Sequence, residues 1–224
     1  MKTFVYGDSF SNTKWCKCPH DKMWYAPFVQ GELVDRTRRG ASTEEMFLKA
    51  TNDAVNYTNS RFIFGTGAMY SRVMIYTDQL YAKEQVRQGK FEDCLPYFAT
   101  HEIDKSLHVG MFHHTLVWAK YLSHIVSLAS LLQAQSHQWF MVHMNTDHHE
   151  YHSPGNPLVL PLLKRTAAMP NYLDQRHSCI RVCRDAGIKP LDYDQFSWSG
   201  HHTVEGQQCF GTHVVKMFSK RGLL

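Results

Sequence analysis

Hydrophobic positions fall into short runs separated by helix-length stretches. Lys2 to Tyr6 reads as a strand ending at Gly7, and Glu32 to Arg36 as a second one before Gly40-Ala41-Ser42. Arg61-Phe62-Ile63-Phe64 is a third, stopped by Gly65-Thr66-Gly67, and Gln138 to Met144 is a clear fourth. Ser42 or Thr43 followed by Glu44-Glu45 has the form of a helix N-cap with acids in the first turn. That helix carries Met46, Phe47, Ala50 and Val55 at helical spacing. Residues 113 to 136 predict a long helix. Tyr172 to Ala186 predicts another, ending at Gly187 in the C′ position, and Val204 to Ser219 the last. Trp15 to Gln30 reads as a loop with a short helix, and residues 145 to 158 as a polar surface loop. Residues 70 to 112 are mixed, with a helix expected around Gln79 to Gln88, and a short strand is expected near Lys189 to Tyr193.

Short apolar strands that alternate with helices are the pattern of a parallel sheet covered on both faces. The expected class is α/β, a three-layer α/β/α sandwich with a central parallel sheet. With 224 residues, 43% of them hydrophobic, and no repeat or linker, one domain over 1–224 is expected.

Composition then removes several classes of function. The longest apolar tract, Leu116 to Leu132, is interrupted by Lys120, Ser123, His124, Ser127 and Ser130. It reads as a buried or half-buried helix, not as the ~20 apolar residues of a membrane span. No signal-peptide core follows Met1-Lys2, so a cytoplasmic location is expected, compatible with later association with a virion. The compact start and the density of His, Tyr and Trp suit a phage-encoded protein. Net charge is +4 with both signs mixed, and the one basic run, Arg36-Thr37-Arg38-Arg39, is too short for a nucleic-acid footprint. No nucleic-acid partner is expected.

Two clusters invite a metal hypothesis. Cys16-Lys17-Cys18-Pro19-His20 and the Cys179/Cys183 pair offer thiols, but neither has the C-x-x-C spacing of common zinc sites. Asp147-His148-His149-Glu150-Tyr151-His152, with His113, His114 and His143, offers imidazoles and carboxylates without the H-E-x-x-H spacing. Reduced thiols and a solvated polar loop are the simpler readings, so no metal and no cofactor are expected.

Catalytic groups in open α/β sheets collect at the carboxyl ends of strands. Three such ends are rich in small or polar residues: Gly7-Asp8-Ser9, Gly40-Ala41-Ser42 and Gly65-Thr66-Gly67. A serine just past the first strand can aim its Oγ into the crevice, with nearby N–H groups facing a developing oxyanion. Gly7-Asp8-Ser9-Phe10-Ser11 is not the G-x-S-x-G elbow, since serine holds the last position.

Tyr6-Gly7-Asp8-Ser9-Phe10-Ser11 resembles the first block of the SGNH (GDSL-type) hydrolases, and Arg39-Gly40-Ala41-Ser42 the second. Phe64-Gly65-Thr66-Gly67 is similar to the third, and Gly200-His201-His202-Thr203-Val204-Glu205-Gly206 to the last, in order along almost the whole chain. The resemblance implies the flavodoxin-like SGNH fold and a small-molecule or carbohydrate ester as substrate. It implies Ser9 as nucleophile, His201 as base, and Gly40, Gly65 and Gly67 as oxyanion or substrate-binding positions. Asp8 then orients the nucleophile loop. His202 is the alternative base, with His201 favoured by its five-residue spacing to Gly206.

Two departures stand out. Gly67 replaces the asparagine that supplies the family's third oxyanion donor, with Ala68 where Asp is usual. The acid three residues before the histidine is absent: that position holds Trp198 for His201 and Ser199 for His202. Asp194 or Asp192 is the nearest upstream acid, and a Ser-His dyad oriented by a backbone carbonyl is the other solution. Three readings follow: a metal-independent serine esterase or deacylase, a non-catalytic binding or structural module of the same fold, and a hydrolase using a metal on the histidine loop.

Overall fold

The computed structural model describes residues 1–38, 41, 43–67, 72–75, 95–98, 114–144, 157–191 and 201–224. Strands β1 (Lys2–Gly7), β2 (Glu32–Asp35), β3 (Arg61–Thr66) and β6 (Gln138–His143) form one parallel sheet in the order β2-β1-β3-β6. The remaining strands, β4 (Arg72–Ile75) and β5 (Leu95–Phe98), pair antiparallel in a separate ladder. Helices are α1 (Thr13–Cys16), α2 (Thr43–Asn56), α3 (His114–Ala134), α4 (Leu160–Ala167), α5 (Cys179–Asp185) and α6 (Val204–Ser219).

The period of two along each strand decides which layer a side chain joins. Phe4, Tyr6, Phe62, Phe64, Trp139 and Met141 face one side, against Met46, Phe47 and Ala50 of α2 and Trp118, Leu122 and Ile125 of α3. Val5, Ile63, Phe140 and Val142 face the other, against Trp24, Phe28, Cys179 and Cys183, and Phe210, Val214 and Phe218 of α6. Both faces of the parallel sheet are therefore covered by helices, which is why its strands read as apolar runs. Among the described residues no helix is long and apolar enough to cross a membrane.

Several boundaries differ from the sequence expectation. Gly65 and Thr66 do not stop β3. They extend it, pairing with Gly7 of β1 and with Val142 and His143 of β6. The helix expected over Tyr172 to Ala186 is shorter, because Tyr172 bridges Met141 at the sheet edge and Ser178 caps α5 at Arg181 N. Gly187 ends α5 with φ of +73°, the left-handed C′ geometry expected of it. Helix α4 was not foreseen. The helix expected at Gln79 to Gln88 lies outside the described residues. Of the strand expected near Lys189 to Tyr193, Lys189 to Leu191 are not strand, and 192 and 193 lie outside the described set.

Arg36 and Arg38 each reach a buried acid of α2. Arg36 makes a two-pronged bond to buried Asp53, whose carboxylate also accepts from Tyr6 Oη at 2.6 Å, and Arg38 pairs with buried Glu45. Charge-assisted pairs of this kind are the strong class of hydrogen bond. They brace the segment after β2 against α2.

Candidate active site

Ser9 lies immediately past the carboxyl end of β1, in a single 3-10 turn over Ser9–Ser11. Asp8, fully buried, caps the turn by accepting from Phe10 N at 3.0 Å, and Ser11 N closes it onto Asp8 O at 3.1 Å. Ser11 then packs on the two paired glycines: a Cβ on Gly7 or Gly65 would overlap the Ser11 side chain. Neither Gly65 nor Gly67 has positive φ, so close approach, not turn geometry, requires glycine at both. At Gly67 an added Cβ would overlap Asp8 Oδ2 and lie 2.6 Å from Asp8 Cγ. The Asp8 carboxylate therefore fills the space where a longer side chain at position 67 would begin.

The turn is anchored on every side. Asn12 Nδ2 donates to Thr37 Oγ1 at 3.0 Å, tying it to the loop after β2, and Asn12 Oδ1 accepts from Lys14 N at 3.1 Å to cap α1. Trp24 Nε1 donates to Ser11 Oγ at 3.3 Å. Gln207 of α6, wholly buried, donates through Nε2 to Phe10 O at 3.0 Å and to Cys16 Sγ at 3.3 Å, while its Oε1 accepts from Trp24 N at 3.4 Å. Cys16 Sγ donates to Phe10 O at 3.2 Å. Burial pushes this thiol up to about 12, which keeps it protonated as that donor. Gln207, absent from the candidate set drawn from sequence, is thus a principal support of the nucleophile turn.

The histidine pair arrives just before α6, whose Thr203 cap accepts from Gly206 N at 3.1 Å. The half-buried His201 ring stacks on Phe10 of the serine turn (centroids 5.2 Å apart, planes at 23°) and on Trp15 of α1 (6.0 Å, 29°). His202 turns the other way. It is 2% exposed and lies beside Cys183, tilted 6.1 Å from Phe10. Ser9 Oγ makes no hydrogen bond to either imidazole among the described residues, and His201 meets the turn through its stack on Phe10. Ser9 itself is 5% exposed. The structure thus brings Ser9, Asp8, Gly67 and the 201–202 pair to one end of the sheet. It buries Gly65 in β3 beneath Ser11, where its Cβ position also meets Trp24 at 2.9 Å. Gly40, Asp192 and Asp194 lie outside the described residues, as does the 147–152 histidine loop.

A second polar group sits at the same end of the sheet. Thr66 Oγ1 donates to Val142 O at 3.1 Å and so presents its lone pairs to His143 Nδ1 (3.1 Å) and to Tyr121 Oη (3.3 Å). His143 Nε2 then accepts from Tyr172 Oη at 2.8 Å, which assigns the Nδ1–H tautomer from the network. Burial lowers this imidazole to about 4. His143 is a neutral, structurally committed core histidine, not a member of a surface metal cluster.

No family model matches the chain, and no curated protein matches it either. Solved structures do. The esterase EstA from Pseudoalteromonas sp., in a structure inhibited by monoethylphosphonate, superposes with a TM-score of 0.50 at 9% identity, over 98% of this chain and 97% of its own. A member of the lipolytic protein G-D-S-L family from Veillonella parvula superposes with a TM-score of 0.48 at 13% identity, over 98% and 99%. At such identities the likeness is one of fold: the chain shares the three-layer α/β/α fold of the Pseudoalteromonas esterase.

Proposed function

We propose that the chain is a serine-dependent ester hydrolase, an esterase or deacylase acting on small or carbohydrate-borne esters. The observation that carries this reading is the position of Ser9: past the first strand, on a turn braced by Asp8, Asn12, Ser11 and Gln207, with His201 stacked on the adjacent Phe10. Such bracing keeps a nucleophile in one geometry, and that pre-organisation is what acyl transfer requires. In the proposed reaction Ser9 Oγ attacks the ester carbonyl and His201 takes its proton. The imidazolium returns that proton to the departing alkoxide, leaving an acyl-serine. Water, deprotonated by the same histidine, then releases the acid. The N–H groups of Ser9 and Gly40 receive the oxyanion, and Asp194 or Asp192 orients the histidine.

A specific observation favours a second reading, a non-catalytic module of this fold. The Asp8 carboxylate occupies the room next to Gly67 that a third, side-chain oxyanion donor would need. Loss of one such donor costs about 3 kcal/mol in the transition state. The two readings separate on labelling by a fluorophosphonate, a probe of the same phosphonyl class that inhibits the Pseudoalteromonas esterase. The expected result is one-to-one modification of Ser9, mapped by mass spectrometry, that disappears in His201→Ala, together with loss of ester cleavage in Ser9→Ala. An unlabelled protein with an intact circular dichroism spectrum would establish the silent module instead.

A further inference from the structure

Beside His201, three side chains converge that the hydrolase reading does not use. Cys179 and Cys183 stand one turn apart on α5, at the start and past the middle of the Cys179–Asp185 helix, and so point the same way. Their sulfurs are 3.9 Å apart. His202 enters from the loop before α6 and brings a ring nitrogen within 4.8 Å of both. All three are 2% exposed or less. Gly206 makes the approach possible, since a Cβ there would lie 3.3 Å from Cys183 Sγ and 3.4 Å from His202 Cβ.

The spacing excludes a disulfide and fits a cation, although the two thiols also meet at hydrogen-bond distance and Cys183 Sγ lies 3.5 Å from Gly206 O. A disulfide would need the sulfurs at about 2.05 Å, well inside the observed distance. Two thiolates on one tetrahedral zinc, with Zn–S of about 2.3 Å, lie about 3.8 Å apart, close to the value found. His202 Nε2 is buried and has no hydrogen-bond partner among the described residues, an arrangement that native proteins ordinarily avoid. Charge decides between cations. Two thiolates, a neutral imidazole and a divalent ion sum to zero, and a neutral cluster escapes the heavy cost of burying net charge.

We infer that Cys179, Cys183 and His202 form a zinc site that locks the loop carrying the histidine pair onto α5. Three protein ligands leave one position of a tetrahedral ion for a further donor, and the site assigns His202 a role that removes it as the catalytic base. The inference does not rest on the hydrolase reading, because the three ligands converge whether or not Ser9 reacts.

The test uses the full chain, reduced and stripped with a chelator, then titrated with Zn2+ against a chromophoric competitor and with Co2+ as an optical surrogate. One equivalent of Zn2+ is expected. The cobalt form should show near-ultraviolet sulfur-to-metal charge transfer with the intensity of two thiolates, and strong tetrahedral d–d bands. Cys183→Ala and His202→Gln should weaken binding more than about 100-fold, beyond the 10–100-fold typical of an outer-shell partner. Cys18→Ser, whose thiol belongs to the segment after α1, should bind like wild type. The wild-type cobalt spectrum reads the ligand set even if a variant fails to fold. A wild-type chain that takes up no metal, a cobalt spectrum without thiolate bands, or unchanged affinity in both folded ligand variants would each overturn the site. Because phosphonate labelling of Ser9 is scored separately, failure of one assignment leaves the other intact.

Discussion

Acid should unfold this protein through His143, and the size of the effect follows from where that imidazole sits. It is completely buried, its Nδ1 hydrogen is committed to Thr66, and its Nε2 lone pair accepts from Tyr172. Protonation at Nε2 would set a new N–H against the Tyr172 hydroxyl and place a charge in the core. Burial accordingly lowers the group from 6.5 to about 4. The folded state thus binds its proton less readily than the unfolded chain, so stability is fully present above the unfolded value and is lost as pH falls towards the folded one. A shift of this size, at 1.36 kcal/mol per pH unit, corresponds to about 3 kcal/mol, of which about 2 kcal/mol is already gone at a pH of about 5. Against a typical total of 5–15 kcal/mol that is a large fraction. His124, His177 and His213 are also lowered by partial burial and add to the loss in the same sense. The variant His143→Gln isolates one group: its amide can donate to Thr66 and accept from Tyr172, and it does not titrate. Urea denaturation of both proteins at pH values of about 7, 6, 5 and 4 gives the comparison. Wild type should lose about 3 kcal/mol more than the variant across that range. Parallel pH profiles would refute the buried neutral histidine.

Two further substitutions test the support of the serine turn. Gly67→Asn, which would put back the side chain that the resemblance leads one to expect, should lower stability by about 1–3 kcal/mol, because its Cβ overlaps the Asp8 carboxylate; a rise in melting temperature would refute the packing argument. Gln207→Leu removes the donor to Phe10 O and Cys16 and the acceptor for Trp24 N. Leaving those buried groups without Gln207 should cost about 1–3 kcal/mol. On the proposed function it should also slow phosphonate labelling of Ser9 while leaving its site unchanged, read as the rate of adduct formation by mass spectrometry.

The strands of the main sheet were legible because β1, β3 and β6 carry apolar side chains on both faces and take the covering helices on both sides, with β1 and β3 at its centre. Helix α4 was not, because it is only eight residues long, carries Pro161 in its first turn and has Thr166 as its one buried residue. Its apolar face, Leu162 and Leu163 packed on the core, spans too few turns to stand out beside Pro157 and Pro161. The helix start at Cys179 was misplaced because Tyr172 and Leu173 are apolar for another reason: they close the sheet edge through bonds with Met141. Gln207 could have been found. It stands at 207, 210, 211, 214 and 218, the spacing of the buried face of α6, so a polar residue on that stripe needs buried partners. The Cys179/Cys183 pair was visible as a one-turn spacing, but nothing in the sequence brings His202 to it. That meeting depends on how α5 and α6 pack.

The two departures from the family pattern acquire different meanings once the side chains are in place. Gly67 is not a gap awaiting a missing group, since the Asp8 carboxylate lies where any Cβ would go and is held there by the Phe10 N–H it caps. Restoring an asparagine would therefore disturb the turn that carries Ser9 before it could add a donor. On the proposed reading the oxyanion is left to backbone N–H groups, and the deficit of about 3 kcal/mol predicts turnover reduced by a factor of about 100 or more relative to a three-donor site. Labelling by a phosphonate relies less on that donor than turnover of an unactivated ester does, because the fluoride leaving group is already activated. A protein of this design should accordingly be easier to label than to see turn over. A labelled Ser9 combined with slow cleavage of small esters would then reflect the Asp8–Gly67 packing itself, and would distinguish an enzyme with a reduced oxyanion hole from an inert member of the same fold.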